Sequence, residues 1–195
     1  MTRRTRAEMM EETRLKLLNT ARQHFANAGF FETVMDDLTA QAGLTRGALY
    51  HHFGDKKGLF FAVLQQVDAE MDERLAAIAS EIQSPWDAFL ARCHAYLAMA
   101  TEPEIQRIVL RDAYSVLDAE QLHSIRLNCI SAISDRLRTL MDLAIIKESD
   151  PELLARFING GLMESALWIS RHDQPDAALH QAIESTNLFL EGLLA

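Results

Sequence analysis

The chain has 195 residues, 49% of them hydrophobic and 24% charged, the mix of a globular protein with room for a small domain beside a larger one. Two cysteines, Cys93 and Cys129, are too few for a disulfide framework, and no apolar run approaches the ~18 residues that a membrane span needs. The basic N-terminus meets Glu8, Glu11 and Glu12 where a signal peptide needs apolar residues, so the expected location is the cytoplasm. The net charge of −9 is unevenly spread: residues 1–60 carry +2 and residues 61–195 carry −11, a basic head on an acidic body.

Apolar residues recur at three- and four-residue spacings almost throughout and period-2 alternation is absent, which predicts an all-α fold of about nine helices. The first runs from about Ala7 to Ala28, with Leu15, Leu18, Ala21 and Phe25 on one face and Gly29 as its stop. A short second helix follows Thr33, which has capping-box spacing to Asp36, and ends at Gly43. A short third helix starts after Thr45 and stops at Gly54. Asp55 then caps a fourth, reaching about Ile82. Pro85 opens a fifth, to about Met99, and Pro103 a sixth, to about Leu117. Asp118 caps a seventh, to about Lys147. Pro151 opens an eighth, to about Arg171, and Pro175 a ninth, to about Leu194. Every proline falls at a helix boundary.

Two short helices joined through Gly43, with Leu44 at the corner, have the spacing of a helix-turn-helix. Leu38, Ala42, Leu44, Leu49 and Phe53 are its candidate core. Thr45, Arg46, Ala48, Tyr50 and His51 are left facing outward on the third helix, with His52 read as structural. None of these is acidic, and Gly47 with Ala48 keeps the leading edge slim enough for a major groove. Arg46 suits a bidentate pair to guanine, and Thr45 and Ala48 suit thymine methyls. Tyr50 and His51 suit phosphates, Lys56 adds a cation at a helix start, and Thr33 is placed beside the backbone across the groove. Arg3, Arg4 and Arg6 form either a basic arm onto DNA or a solvated tail.

The stretch AGLTRGALYHHFGDKKGLF resembles the signature of the TetR/AcrR repressor family, in which Tyr-x-x-Phe and a downstream Lys-x-x-Leu mark the end of the recognition helix. Here these are Tyr50, Phe53, Lys56 and Leu59. The resemblance implies that residues 45–52 enter the major groove and that Tyr50 and Lys56 touch phosphates. It also implies a division into a DNA-binding domain, 1–54, and an effector-binding and dimerisation domain, 55–195.

In the body, the eighth helix carries Leu153, Leu154, Phe157, Ile158, Gly161, Leu162, Ala166, Trp168 and Ile169 over more arc than a one-sided stripe, and two glycines sit at its middle. The ninth has a similar spread, with Leu179, Ile183, Phe189, Leu190, Leu193 and Leu194. Helices buried on more than one side fit either a thick monomer core or a second copy. The resemblance implies the second, a homodimer through residues 151–194. It implies too a cavity among helices four to eight for a small, largely apolar effector that releases the repressor from its operator. Candidate lining residues are Phe89, Cys93, Tyr96, Met99, Leu110, Tyr114, Asn128, Ile133 and Trp168, each of which, taken alone, is more simply read as plain core. Arg107, Arg111 and Asp112 either orient a polar group of that ligand or form a surface ion pair. A regulator with no effector, or an activator, is the alternative.

Catalysis is not expected. The chain lacks a P-loop, G-x-S-x-G, His-Glu-x-x-His and a glycine-rich dinucleotide turn, and no cofactor is implied. Cys93 and His94, adjacent on a helix, project about 100° apart and suit one metal poorly. Cys129 meeting Cys93 or His123 would make a thiol or metal sensor, against the simpler reading of buried free thiols.

Overall fold

The computed structural model describes residues 5–195 and is helical, as the periodicity predicts. Of the basic arm, Arg3 and Arg4 lie outside the described residues, and Arg6 opens the first helix, α1 (Arg6–Ala28). Thr5 caps it with Glu8 in a capping box. The helices α2 (Met35–Ala42) and α3 (Arg46–Phe53) complete the head, and α4 (Lys56–Ser80) leads into the body. The remaining elements are α5 (Pro85–Met99), a composite α6, α7 (Ala119–Asp142), α8 (Pro151–Arg171) and α9 (Pro175–Glu191).

The head closes around Phe25, Phe30 and Phe60, whose rings meet edge-on or stacked at centroid distances of 5.2 to 5.9 Å. Phe60 comes from α4, so the start of the long helix belongs to the head's own core. Leu17, Leu18, Ala21, Leu38, Leu49 and Leu59 fill the rest. Leu15 is exposed, contrary to the face drawn from sequence. It falls beyond Leu18, on the side away from Ala21 and Phe25, whereas Leu17 falls on the Ala21 side and takes the buried place. Gly43 ends α2 at φ +64°, a left-handed conformation that lets the chain turn sharply into α3.

Three expectations fail locally. The cap of α2 is Val34, without a side-chain hydrogen bond, so the Thr33–Asp36 capping box does not form. The Thr33 hydroxyl instead donates to Gly29 O, a carbonyl freed at the end of α1, at 2.7 Å. The sixth helix is not uniformly α: Pro103–Ile105 leads into a π-helical segment, Gln106–Asp112, followed by Ala113–Val116. The Ala113 amide reaches back five residues to Ile108 O. Finally, α7 stops at Asp142 rather than Lys147. Ala144 takes φ +53°, and Ile146 pairs antiparallel with Leu194, with Lys147 N donating to Leu193 O and Ala195 N to Ile145 O. A helix continued to Lys147 would forgo this tie to the C-terminus.

Candidate nucleic-acid interface and effector cavity

Within α3 only Leu49 is fully buried; it anchors the helix while its other face meets solvent. Thr45 caps the helix, accepting from Ala48 N at 3.2 Å. Arg46, Gly47, Tyr50 and His51 are exposed and Ala48 is half-buried, so this edge is narrow and free of carboxylates of its own. Arg46 is held by Asp36 of α2, Nε to Oδ1 at 3.1 Å, in a pair whose members are both more than half exposed. Such a pair contributes at most about 1 kcal/mol, little hindrance to a phosphate or a guanine.

Two other candidates sit differently. Thr33 is buried, only 4% exposed, with its hydroxyl committed to Gly29, so it presents no side chain to a groove. Lys56 donates to Phe31 O at 3.3 Å and lies 4.7 Å from the centroid of the Phe30 ring. Burial lowers its pKa against the pull of Glu32. It therefore stitches α4 to the α1–α2 loop, at the edge of the surface carrying α3.

The body contains an apolar cavity in two adjoining compartments. The first is walled by Phe89, Cys93, Tyr96, Ile133 and others. The second is walled by Val109, Leu110, Ala113, Tyr114 and Met163. Asp68, Met71, Tyr96, Cys129 and Asn159 line both. Six of the nine expected lining residues are thus brought together. Met99 is in the solid core at 2% exposure, and Asn128 is exposed, on a face of α7 turned from the cavity. Trp168 lies on the outer face of α8 against His172, ring centroids 5.1 Å apart. Neighbours one or more positions away take the places of the last two, because about 100° per residue carries a side chain off a face quickly.

Sequence reading missed the polar groups of the cavity: Asp68, Asp72, Arg92 and Asn159. One signal was present. Leu64, Val67, Met71 and Leu75 of α4 are buried at helical spacing, and Asp68 falls inside that stripe. Both thiols, Cys93 and Cys129, are pushed up to about 12 by burial. They are protonated and poor nucleophiles at neutral pH. No group of three or more His, Cys, Asp or Glu is gathered as a metal site among the described residues.

Head and body meet at α6. The Asp112 carboxylate, 5% exposed, accepts from Phe30 N at 2.7 Å. Gly29, at φ +85°, lets this loop approach: a Cβ there would stand 3.1 Å from both Asp112 and Arg107. Asp112 and Arg107 therefore neither line the cavity nor pair on the helix surface, since both face the head. Nearby, Arg22 of α1 bridges Glu70 of α4 at 2.6 Å and Glu104 of α6 at 2.7 Å. Lys57 reaches Asp118, the cap of α7, at 2.7 Å.

A further surface is apolar yet uncovered by this chain. Leu153 and Phe157 of α8 and Leu188 and Phe189 of α9 are all more than half exposed, flanking a groove floored by Ile158, Gly161 and Leu190. Cβ atoms at Gly160 and Gly161 would meet nothing within 4 Å. Nothing among the described residues requires these two glycines.

A helix-turn-helix head joined to a hollow helical body defines a DNA-binding regulator. Residues 17–63 match the model of the bacterial regulatory proteins of the tetR family, and residues 86–193 match the tetracyclin repressor-like C-terminal domain. A TetR-family transcriptional regulator from Pectobacterium atrosepticum is 50% identical, with TM-score 0.87 and 98% of each chain covered. The TetC protein of transposon Tn10 from Escherichia coli is 25% identical over 82% of this chain and 81% of its own. A transcriptional repressor from Mycobacterium tuberculosis is 42% identical, but over only 34% of either chain. The chain belongs to the TetR family of transcriptional regulators, a family of DNA-binding proteins rather than enzymes. No helix among the described residues is long and apolar enough to cross a membrane.

Proposed function

We propose that this protein is a homodimeric repressor that grips a near-palindromic operator with two copies of α3 and lets go when a small, largely apolar effector enters the body. One observation carries the reading. The composite α6 offers Val109, Leu110 and Ala113 to the cavity, while Glu104 and Asp112 of the same helix hold the head. A molecule that displaces the cavity face of α6 must also move the head or break those bonds. The π-helical register places such a change in a segment already less regular than its neighbours.

The division of labour follows, with residues 1–54 reading DNA and 55–195 binding the effector and the second copy. The uncovered face of α8 and α9 supports the pairing, since a partner there buries the exposed Phe157 and Phe189 and gives Gly160 and Gly161 a close neighbour. Two heads fixed about 34–36 Å apart read successive major grooves on one side of the duplex. An effector shifts this arrangement only by as much as it prefers the released state, about 5.5 kcal/mol for a full switch. Unpaired thiols and a DNA target suit the cytoplasm.

Footprinting on the protein's own upstream DNA tests the reading, followed by a screen of apolar compounds for loss of the footprint. Arg46→Ala is expected to weaken operator binding by about 1–3 kcal/mol and to relax preference at one base position. Unchanged affinity and selectivity in a gel-shift series removes Arg46 as a base reader. A footprint that no cavity-binding compound disturbs leaves a regulator without an effector.

A further inference from the structure

Resting on the effector reading above, we propose that the cavity takes an amphiphilic organic cation, its positive group on Asp68 and a hydrogen-bond acceptor beside Nη1 of Arg92. The two polar groups differ in what they lack. Asp68 lines both compartments and makes no hydrogen bond or ion pair among the described residues. Burial, with the charge of Asp72 added, pushes its pKa up to about 6, and no cation compensates it. Arg92 is 9% exposed, its Nη2 is paired to Asp72 at 2.5 Å, and its Nη1 is buried without a partner. Since Asp72 already balances Arg92, Nη1 calls for a neutral acceptor rather than a second anion. Of these two groups, Asp68 carries the charge left uncompensated; Arg126, on the wall of the second compartment, is exposed to solvent.

The ligand's shape follows from the same residues. Asp68 and Asp72 are one helical turn apart on α4, so the acceptor subsite lies about one turn from the cation subsite. Phe89, Leu75 and Leu162 supply the apolar walls, and Tyr96 adds an aromatic one. An anionic amphiphile has to share the cavity with an unpaired carboxylate. A neutral one leaves that half-buried carboxylate without a partner. A cation answers both.

The other ionisable groups facing Asp68 do not obscure its titration. From α5 these are Arg92, Cys93 and Tyr96, from α6 Tyr114, and from α7 Arg126 and Cys129, while α8 contributes the neutral Asn159. Burial raises the pKa of both thiols and both phenols above their ordinary values, so they stay neutral near pH 7, and the arginines stay charged. Asp72 is engaged by Arg92. Protonating Asp68 therefore removes the attraction for a cation.

Calorimetry on the full chain with octyltrimethylammonium, octanol and octanoate, below their micelle concentrations, separates the classes. The cation is expected to bind about tenfold or more tighter than either analogue of equal chain length. Asp68→Asn, which keeps volume and removes charge, should abolish that advantage while leaving octanol within about twofold. On the unmutated protein, cation affinity should fall about tenfold from pH 7.5 to pH 5, and this arm decides the matter should the variant fail to fold. Octanol or octanoate binding as tightly as the cation, or an advantage surviving in Asp68→Asn, overturns the cation assignment while leaving the effector reading in place. Failure of all three to bind overturns the cation assignment, while the effector reading stands or falls separately on the footprint screen.

Discussion

The exposed edge of α3 and the cavity of the body are built by opposite means. On α3, the groups proposed to meet DNA lie within six consecutive residues and one buried leucine, Leu49, fixes them all. In the cavity, the lining comes from α4, α5, α6, α7 and α8, and no two consecutive helical turns supply more than a few of its walls. The first is a local surface whose chemistry travels with a short motif. The second exists only once five helices have packed, so a small rotation of any one of them replaces one lining side chain by its neighbour.

That contrast explains what could be read in advance. Helix count, most boundaries and the outward set Arg46, Tyr50 and His51 followed from spacing and caps, because these depend on neighbours in sequence. Thr33 was misplaced because α2 is capped one residue later, at Val34, and the Thr33 hydroxyl turns inward to donate to Gly29 O. Trp168 and Asn128 were misplaced because the hydrophobic pattern of α7 and α8 does not say which partner each face meets. The apolar residues of α8 that belong to no interior, Phe157 above all, look identical in sequence to those that do, such as Ile158. Asp68 was overlooked although its position inside the buried stripe of α4 marks it as unusual. A carboxylate at such a place stays there only with a partner or a purpose.

The largest expected effect breaks the difference at its root, by testing whether the head can act alone. Replacing the exposed Phe157 and Phe189 together by Glu should leave the fold intact, since neither side chain is in the core. It should yield a monomer on sizing and light scattering, and weaken operator binding by about 100-fold, equivalent to about 2.7 kcal/mol. A dimer of unchanged affinity would mean that another face joins the copies.

Next in size is the joint between the regions. Asp112→Ala removes the buried acceptor of Phe30 N and is expected to cost about 1–3 kcal/mol of stability. More informative is its effect on coupling. The variant should still bind operator and effector, but the effector should release DNA less completely, as read by footprint strength at saturating ligand. Full release in Asp112→Ala would show that α6 does not carry the signal through this bond.

Acidity probes the cavity alone. The pKa of Asp68 is raised to about 6 in the fold, above its unfolded value, so its ionised form opposes folding above about pH 6. That opposition is relieved as pH falls through 6 toward 4. Glu70 has the reverse sign. Burial tends to raise its pKa, but the hydrogen bonds from Arg22 and Gln66 outweigh this and lower it, so its stabilisation is present above the unfolded value and lost as pH falls through the lowered one. Asp68→Asn should therefore melt about 2–4 °C higher than the parent at pH 8, with the gap narrowing below pH 6 and closing near pH 4. A gap that is constant with pH would mean that Asp68 is solvated in the free protein.

The smallest effect returns to α3. Asp36 holds Arg46 at 3.1 Å across an exposed pair, and it is a negative charge beside the surface proposed to meet phosphates. If Arg46 contacts DNA as proposed, it exchanges this partner for a base or a phosphate, and Asp36 is left near the duplex. Asp36→Ala frees the arginine and removes that repulsion, while costing the head no more than a weak surface pair. Operator affinity is expected to rise about two- to fivefold at low salt, and the gain should shrink as salt screens it. If affinity falls instead, Asp36 is serving to aim Arg46 at its base, and the short helix is less self-sufficient than its sequence suggests.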